Sequence, residues 1–156
     1  MNFSQGNRIP AVLVDLDGTL VDVRSIRHYV ENGNHDFDAF HLESINCPPN
    51  QKVLELLEAL SSQGLAVLVV TARTEKYRRL TDFWLAQNNV ECKELVMRDL
   101  RDGRPDIEVK TSMFNRLNSK YEIRVAIDDR QDLLENWSNL GISQVIWVRG
   151  DDATLF

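Results

Sequence analysis

The stretch Ile9-Pro10-Ala11-Val12-Leu13-Val14-Asp15-Leu16-Asp17-Gly18-Thr19 decides the fold. Its first six residues form a continuous apolar run, as in a strand buried on both faces. Two aspartates follow directly, and Gly18 permits a sharp turn that can aim both carboxylates into one pocket. Four more runs read as strands, over residues 65–70, 94–97, 122–127 and 144–148. Between them the apolar residues take helical spacing. Residues 51–63 carry Val53, Leu54, Leu56, Leu57 and Leu60 on one stripe before Gly64. Residues 75–88, after a Thr74 cap, turn Leu80, Phe83 and Trp84 inward, and residues 131–140 do the same with Leu133, Leu134 and Trp137. A further helix is expected over residues 107–118. Strands alternating with helices imply an α/β, doubly wound (Rossmann-like) parallel sheet of about five strands with helices on both faces.

At 156 residues the chain has the length of one domain, and 1–156 is read as such. Residues 21–50 fit no period, hold all three histidines, and leave through Cys47-Pro48-Pro49. A connection this long is more often a lid than a simple loop, so it is expected to form a small cap or flap insertion. With 43% hydrophobic and 27% charged residues the composition is globular. The net charge of -6 argues against non-specific coating of nucleic acid, which needs a clustered positive field, but leaves room for one anion site. Two cysteines, Cys47 and Cys92, can build neither a disulfide framework nor a four-cysteine zinc site and read as reduced thiols. Residues 1–10 lack the apolar core of a signal peptide and the longest apolar run is short, so the expectation is a cytoplasmic chain with no membrane partner.

Chemistry-bearing residues follow the strands, where doubly wound sheets bind ligands. After the second strand comes Thr71-Ala72-Arg73, whose hydroxyl and guanidinium suit phosphate oxygens. Thr71 alone would equally serve as a turn cap. Lys110 lies near the start of the fourth helix; a lone lysine there is ordinarily solvated. Asp128-Asp129-Arg130 follows the fourth strand, and adjacent carboxylates in that place repel unless a hard divalent cation or solvent neutralises them. Asp129 alone also reads as a helix N-cap. Between Arg73 and Lys120 eleven Lys or Arg stand against eight Asp or Glu, while both flanks are acidic, so an anionic substrate would approach the middle third. His28, His35 and His41 lack metal-pair spacing and are assigned to the surface or cap. Trp84, Trp137 and Trp147 are assigned to the core, and Tyr29, Phe37 or Phe40 are candidates for stacking on a base.

Taken in order, Asp15-x-Asp17, Thr71, Lys110 and the Asp128-Asp129 pair resemble the four motifs of the haloacid dehalogenase (HAD) superfamily of phosphotransferases. The resemblance implies an aspartyl-phosphate mechanism, with Asp15 as nucleophile and Asp17 as general acid and base. It implies Mg2+ held by Asp15, the Asp17 carbonyl and Asp128, with Asp129 in support, and phosphoryl oxygens held by Thr71 and Lys110. An aspartate at the second position argues against a dehalogenase. Ala126-Ile127-Asp128-Asp129-Arg130 with Trp137 and Gly141-Ile142, Thr71-Ala72-Arg73, and Arg104-Pro105-Asp106 before Lys110 are similar to the 3′-phosphatase domain of phage-type polynucleotide kinases. That likeness adds Arg73 and Asp106 to the substrate site, with Gly18 and Thr19 of the first motif, and a cap arginine for which Arg24 and Arg27 both qualify. It implies a phosphorylated nucleic-acid end, DNA or RNA, as substrate. No ATP-binding loop is present, so the likeness implies a free-standing phosphatase or a piece of a longer chain, with a separate kinase or ligase as a candidate partner. The alternatives are a HAD-type phosphatase of nucleoside monophosphates or other small esters, and a non-catalytic nucleic-acid or protein-binding module.

Overall fold

The computed structural model describes residues 7–150 and 154–156. Five strands, β1 (Ile9–Asp15), β2 (Ala66–Thr74), β3 (Glu94–Arg98), β4 (Tyr121–Asp128) and β5 (Gln144–Trp147), form one parallel sheet in the order β3-β2-β1-β4-β5. The doubly wound sheet expected from the apolar runs is therefore present. Its centre is β1, because Val12 and Val14 face one core while Ala11 and Leu13 face the other, all fully buried. The first core is closed by α2 (Gln51–Ser62) and α3 (Arg78–Gln87), the second by α4 (Asp106–Asn118) and α5 (Gln131–Asn139). In β4 the register against β1 slips once, with Ala11 opposite Ile123 but Val12 opposite Val125. Arg124 is the extra residue. It turns out to solvent, and the bulge lets Ile123 and Val125 serve opposite cores.

Several expectations need correction. β2 does not stop at Val70 but runs on through Thr71 and Arg73 to Thr74, paired with Met97 and Arg98 of β3. Thr74 accordingly makes no side-chain cap, and a 3-10 turn over Glu75–Tyr77 delays α3 until Arg78. That delay rotates the helix face inward at Thr81, Trp84 and Leu85, leaving Phe83 56% exposed. Trp147 is half-buried beside the Phe156 ring rather than deep in the core.

The segment 21–50 leaves the sheet through a narrow neck. Val21 bridges Pro49, the Asp22 amide donates to the Pro48 carbonyl (2.9 Å) and the Asn50 amide to the Leu20 carbonyl (2.8 Å). Inside it lie 3-10 turns at Arg24–Tyr29 and Ser44–Asn46 and a short helix α1 (Phe37–Glu43), whose first turn is capped by the Asp36 carboxylate. Ile26, Phe40 and Cys47 pin the segment to the first core, and the Trp84 indole donates to the Cys47 carbonyl at 2.9 Å. Among the described residues no helix is long and apolar enough to cross a membrane.

Candidate active site

The chain order places the site. From β1 the sheet grows outward through β2 to β3, then returns across α4 to β4 on the other side of β1. Strand direction of growth reverses at β1, and the carboxyl ends of the strands there open a crevice. A cavity of about 740 Å³ occupies it, lined from β1 and its turn by Asp15 and Asp17, from β2 by Thr71 and Arg73, and from α4 by Asp106 and Lys110. Asp129 and Arg130, next to β4, complete that wall, while α1 supplies Phe37, Asp38, Phe40 and His41 from above.

At the floor Lys110 Nζ donates to Asp15 Oδ1 (2.6 Å) and Asp128 Oδ2 (3.2 Å), with all three side chains buried. Thr19 Oγ1 donates to Asp15 Oδ2 at 3.0 Å and lies 3.4 Å from Asp129 Oδ1. Asp128 also accepts from the Trp137 indole (3.3 Å) and the Arg130 amide (3.2 Å). The turn beneath makes room for this: Gly18 has φ +85°, and a Cβ there would stand 2.3 Å from Asp129 Oδ2.

Asp15, Asp128 and Asp129 each offer an oxygen within 4.8 Å of the others. One ammonium cannot neutralise three carboxylates. Burial, with Asp128 and Asp129 adding repulsion against the opposing pull of Lys110, raises the Asp15 carboxyl to about 8. Burial and the Asp128 charge raise Asp129 to about 6. Burial would push Lys110 down, but Asp15 and Asp128 reverse it and keep the ammonium protonated well past its usual range. An oxygen-rich, buried cluster with a surplus of negative charge fits a hard divalent cation.

The upper half of the site is a second network. Arg73 is 2% exposed; Nε and one terminal nitrogen fork onto Asp17 at 2.8 and 2.5 Å, and two further donors reach Thr81 Oγ1 (3.1 Å) and Ser44 Oγ (2.7 Å). Thr71 Oγ1 accepts from the Arg73 amide (3.1 Å), setting the strand's last turn of side chains. Asp106 is held between Arg98 and Arg130, the latter at 2.7 Å. His41 Nδ1 stands 3.9 Å from Asp17 Oδ2; burial holds the imidazole down at about 4 against the pull of Asp17, so it is neutral at neutral pH.

Asp15, Asp17, Thr71, Arg73, Asp106, Lys110 and Asp129 thus share one cavity, with Thr19 and the fully buried Asp128 directly behind it. Gly18, Arg24 and Arg27 do not line it. They border a smaller hollow on the other side of the Gly18 turn, where Arg24 forks onto Asp22 (2.8 and 2.5 Å) and Arg27 lies against Gly150. The N-cap alternative for Asp129 finds no support, since α5 has no side-chain cap. Sequence reading assigned His41 to the surface or cap without a role at the site, and missed Ser44, Thr81, Asp38, Lys76 and Tyr77, which carry no local signal. Arg98 and Arg130 could have been found as basic residues beside motifs already singled out.

Residues 9–151 match the family model described as the polynucleotide kinase PNKP phosphatase domain. The chain belongs to that family. Two solved chains from the Pnkp1/Rnl/Hen1 RNA repair complex are similar to this PNKP phosphatase domain, at TM-scores 0.76 and 0.77 and 27% and 26% identity. They cover 93% and 96% of it, while the match spans only 47% and 46% of theirs, so the present chain spans about half the length of these similar chains. The class C acid phosphatase from Bacillus anthracis, solved with tungstate bound, shares the fold at TM-score 0.65 and 12% identity, over 94% of this chain and 69% of its own. The chain is thus a HAD-type phosphatase domain, as the motif order implied.

Proposed function

We propose that this PNKP phosphatase domain removes 3′-phosphates from DNA or RNA ends in a Mg2+-dependent, two-step reaction through an aspartyl-phosphate on Asp15. The observation that carries the reading is the pairing of a buried carboxylate–lysine floor with a second carboxylate, Asp17, held above it by Arg73. On this reading residues 1–156 are one domain with 21–50 as its cap. Its place in the cytoplasm rests on the sequence alone.

Asp15, hydrogen-bonded by Lys110 and Thr19, attacks phosphorus. The bond from phosphorus to the 3′-oxygen breaks, and Asp17 gives its proton to that oxygen. In the second step Asp17 takes a proton from water as the water oxygen attacks phosphorus. The bond to Asp15 then breaks, releasing phosphate and restoring the carboxylate. Lys110 and Thr71 face the phosphoryl oxygens, and Arg73 holds Asp17 and the phosphate side of the cavity. A divalent cation among Asp15, the Asp17 carbonyl, Asp128 and Asp129 would keep Asp15 ionised and offset the phosphoryl charge.

The test is phosphate release with Mg2+ from matched 3′- and 5′-phosphorylated oligonucleotides and the 3′-mononucleotide. Release from the 3′-phosphorylated oligomer is expected; none would overturn the proposal. Asp15→Asn, nearly isosteric, should lower the rate at least about 10³-fold while keeping the melting transition. The net charge of -6 favours a second reading, turnover of small phosphate esters. A rate on the oligomer no better than on the mononucleotide, and equally indifferent to salt, would establish it. The similar chains were solved in a complex with Rnl and Hen1, and a separate kinase or ligase partner belongs to the same proposal.

A further inference from the structure

Among the described residues one buried side-chain polar atom has no hydrogen-bond partner, Nδ1 of His41. Such exceptions call for an explanation, because an unmet buried nitrogen is costly. The atom stands 3.9 Å from Asp17 Oδ2. That is beyond the roughly 2.7–3.2 Å of a hydrogen bond, yet near enough for a single oxygen atom to reach both.

The spacing is set by a rigid frame. The ring packs against Phe40 and Tyr77, with centroids 5.3 and 4.7 Å away. Ser44 Oγ donates to the His41 carbonyl (2.6 Å) and accepts from the same guanidinium that grips Asp17. On the opposite side Asp38, three residues before His41, accepts from Lys76 Nζ (2.7 Å) and from the Tyr77 hydroxyl. The segment around His41 is thereby tied to β2 through Ser44 and to the 3-10 turn after β2 through Asp38, and His41 and Asp17 are both among the residues that line the cavity.

We infer that His41 is a positioning residue for the water that attacks the aspartyl-phosphate, holding that water against Asp17. This rests on the two-step reading above. An ester oxygen, bonded to carbon and phosphorus, carries no hydrogen and so cannot donate to both groups. A water molecule can: one hydrogen points to Asp17 Oδ2, the other to Nδ1 with the ring proton on Nε2, and a lone pair is left for phosphorus. As the water oxygen bonds to phosphorus, one proton passes to Asp17 and the bond to Asp15 breaks. His41 keeps its own proton throughout.

The experiment is rapid-quench turnover of a 3′-³²P-labelled oligonucleotide with Mg2+ by the wild type, His41→Phe and His41→Gln, following released oligonucleotide, free phosphate and labelled protein separately. His41→Phe keeps the ring packing and loses the acceptor. It should release a burst of oligonucleotide approaching one per protein, accumulate labelled protein, and lose at least about tenfold in kcat. Its kcat/KM, which reports steps up to phosphoenzyme formation, should stay within about threefold. His41→Gln, with an amide able to accept, should recover part of the kcat and shrink the burst. Equal losses in kcat and kcat/KM without labelled protein, or wild-type rates in His41→Phe, would overturn the inference. If His41→Phe lacks a melting transition, the burst in His41→Gln decides alone, its absence at reduced kcat counting against the inference. A wild type that releases no phosphate overturns the proposed function instead, so the two failures are distinct.

Discussion

Arg73 uses four of its five N–H donors inside the protein. Two fork onto Asp17, and two more reach Thr81 on α3 and Ser44 in the cap, so one side chain ties α3 and the cap to the turn after β1. Lysine would keep the charge and lose the planar fork, leaving Ser44 and Thr81 without that partner. Arg73→Lys is therefore expected to destabilise the protein by about 1–3 kcal/mol and to lower kcat/KM at least tenfold. An unchanged urea midpoint would count against the tie. The exposed pair Arg24–Asp22 makes the contrast: with Arg24 half exposed, its loss should scarcely move the midpoint.

At the scale of the element, the turn between β1 and the cap neck is the most tightly specified piece. The Gly18 amide donates to the Val21 carbonyl and those of Thr19 and Val21 to the Leu16 carbonyl, closing a loop that no β-branched residue could follow at φ +85°. Gly18→Ala would add about 1–2 kcal/mol of backbone strain and drive a methyl into the Asp129 carboxylate. The expected signature is a several-fold rise in the Mg2+ concentration that gives half-maximal rate, with far-UV circular dichroism unchanged. A Gly18→Ala protein with wild-type cation dependence would show that Asp129 has no part in holding the ion. The overrun of β2 to Thr74 matters equally, since a strand ending at Val70 would not carry Arg73 beneath Asp17.

For the whole molecule the buried acids tie folding to pH. Asp15 at about 8 and Asp129 at about 6 hold their protons more tightly folded than unfolded, where both titrate near 3.8. The stability they contribute is complete below about pH 4 and is lost as pH rises through 6 and then 8. With chelator present, the melting temperature should fall from pH 5 to pH 8. Mg2+ should raise it, and most at the alkaline end, because the ion binds the folded, ionised cluster. A melting temperature that rises with pH in chelator, or ignores Mg2+ at pH 8, would show that these carboxylates are not held as an unneutralised group.

The amino-acid sequence alone determined the parallel sheet and half of the site. Five strands declare themselves as apolar runs; Asp15, Asp17 and Asp128 stand at or just past strand ends, Thr71 directly after the apolar run of β2 and Lys110 in the first half of a helix, where local order suffices to place them. What only the tertiary structure decided is which distant groups meet there. That Arg73, and neither Arg24 nor Arg27, grips Asp17 depends on β2 lying beside β1 and running on to Thr74. That Ser44 and His41 reach the cavity depends on the neck at Val21–Pro49 and on Phe40 packing into the first core. An aperiodic segment carries no repeat from which its facing residues can be read. Its side chains take their places from contacts with strands and helices far along the chain, and those contacts exist only once the sheet has formed.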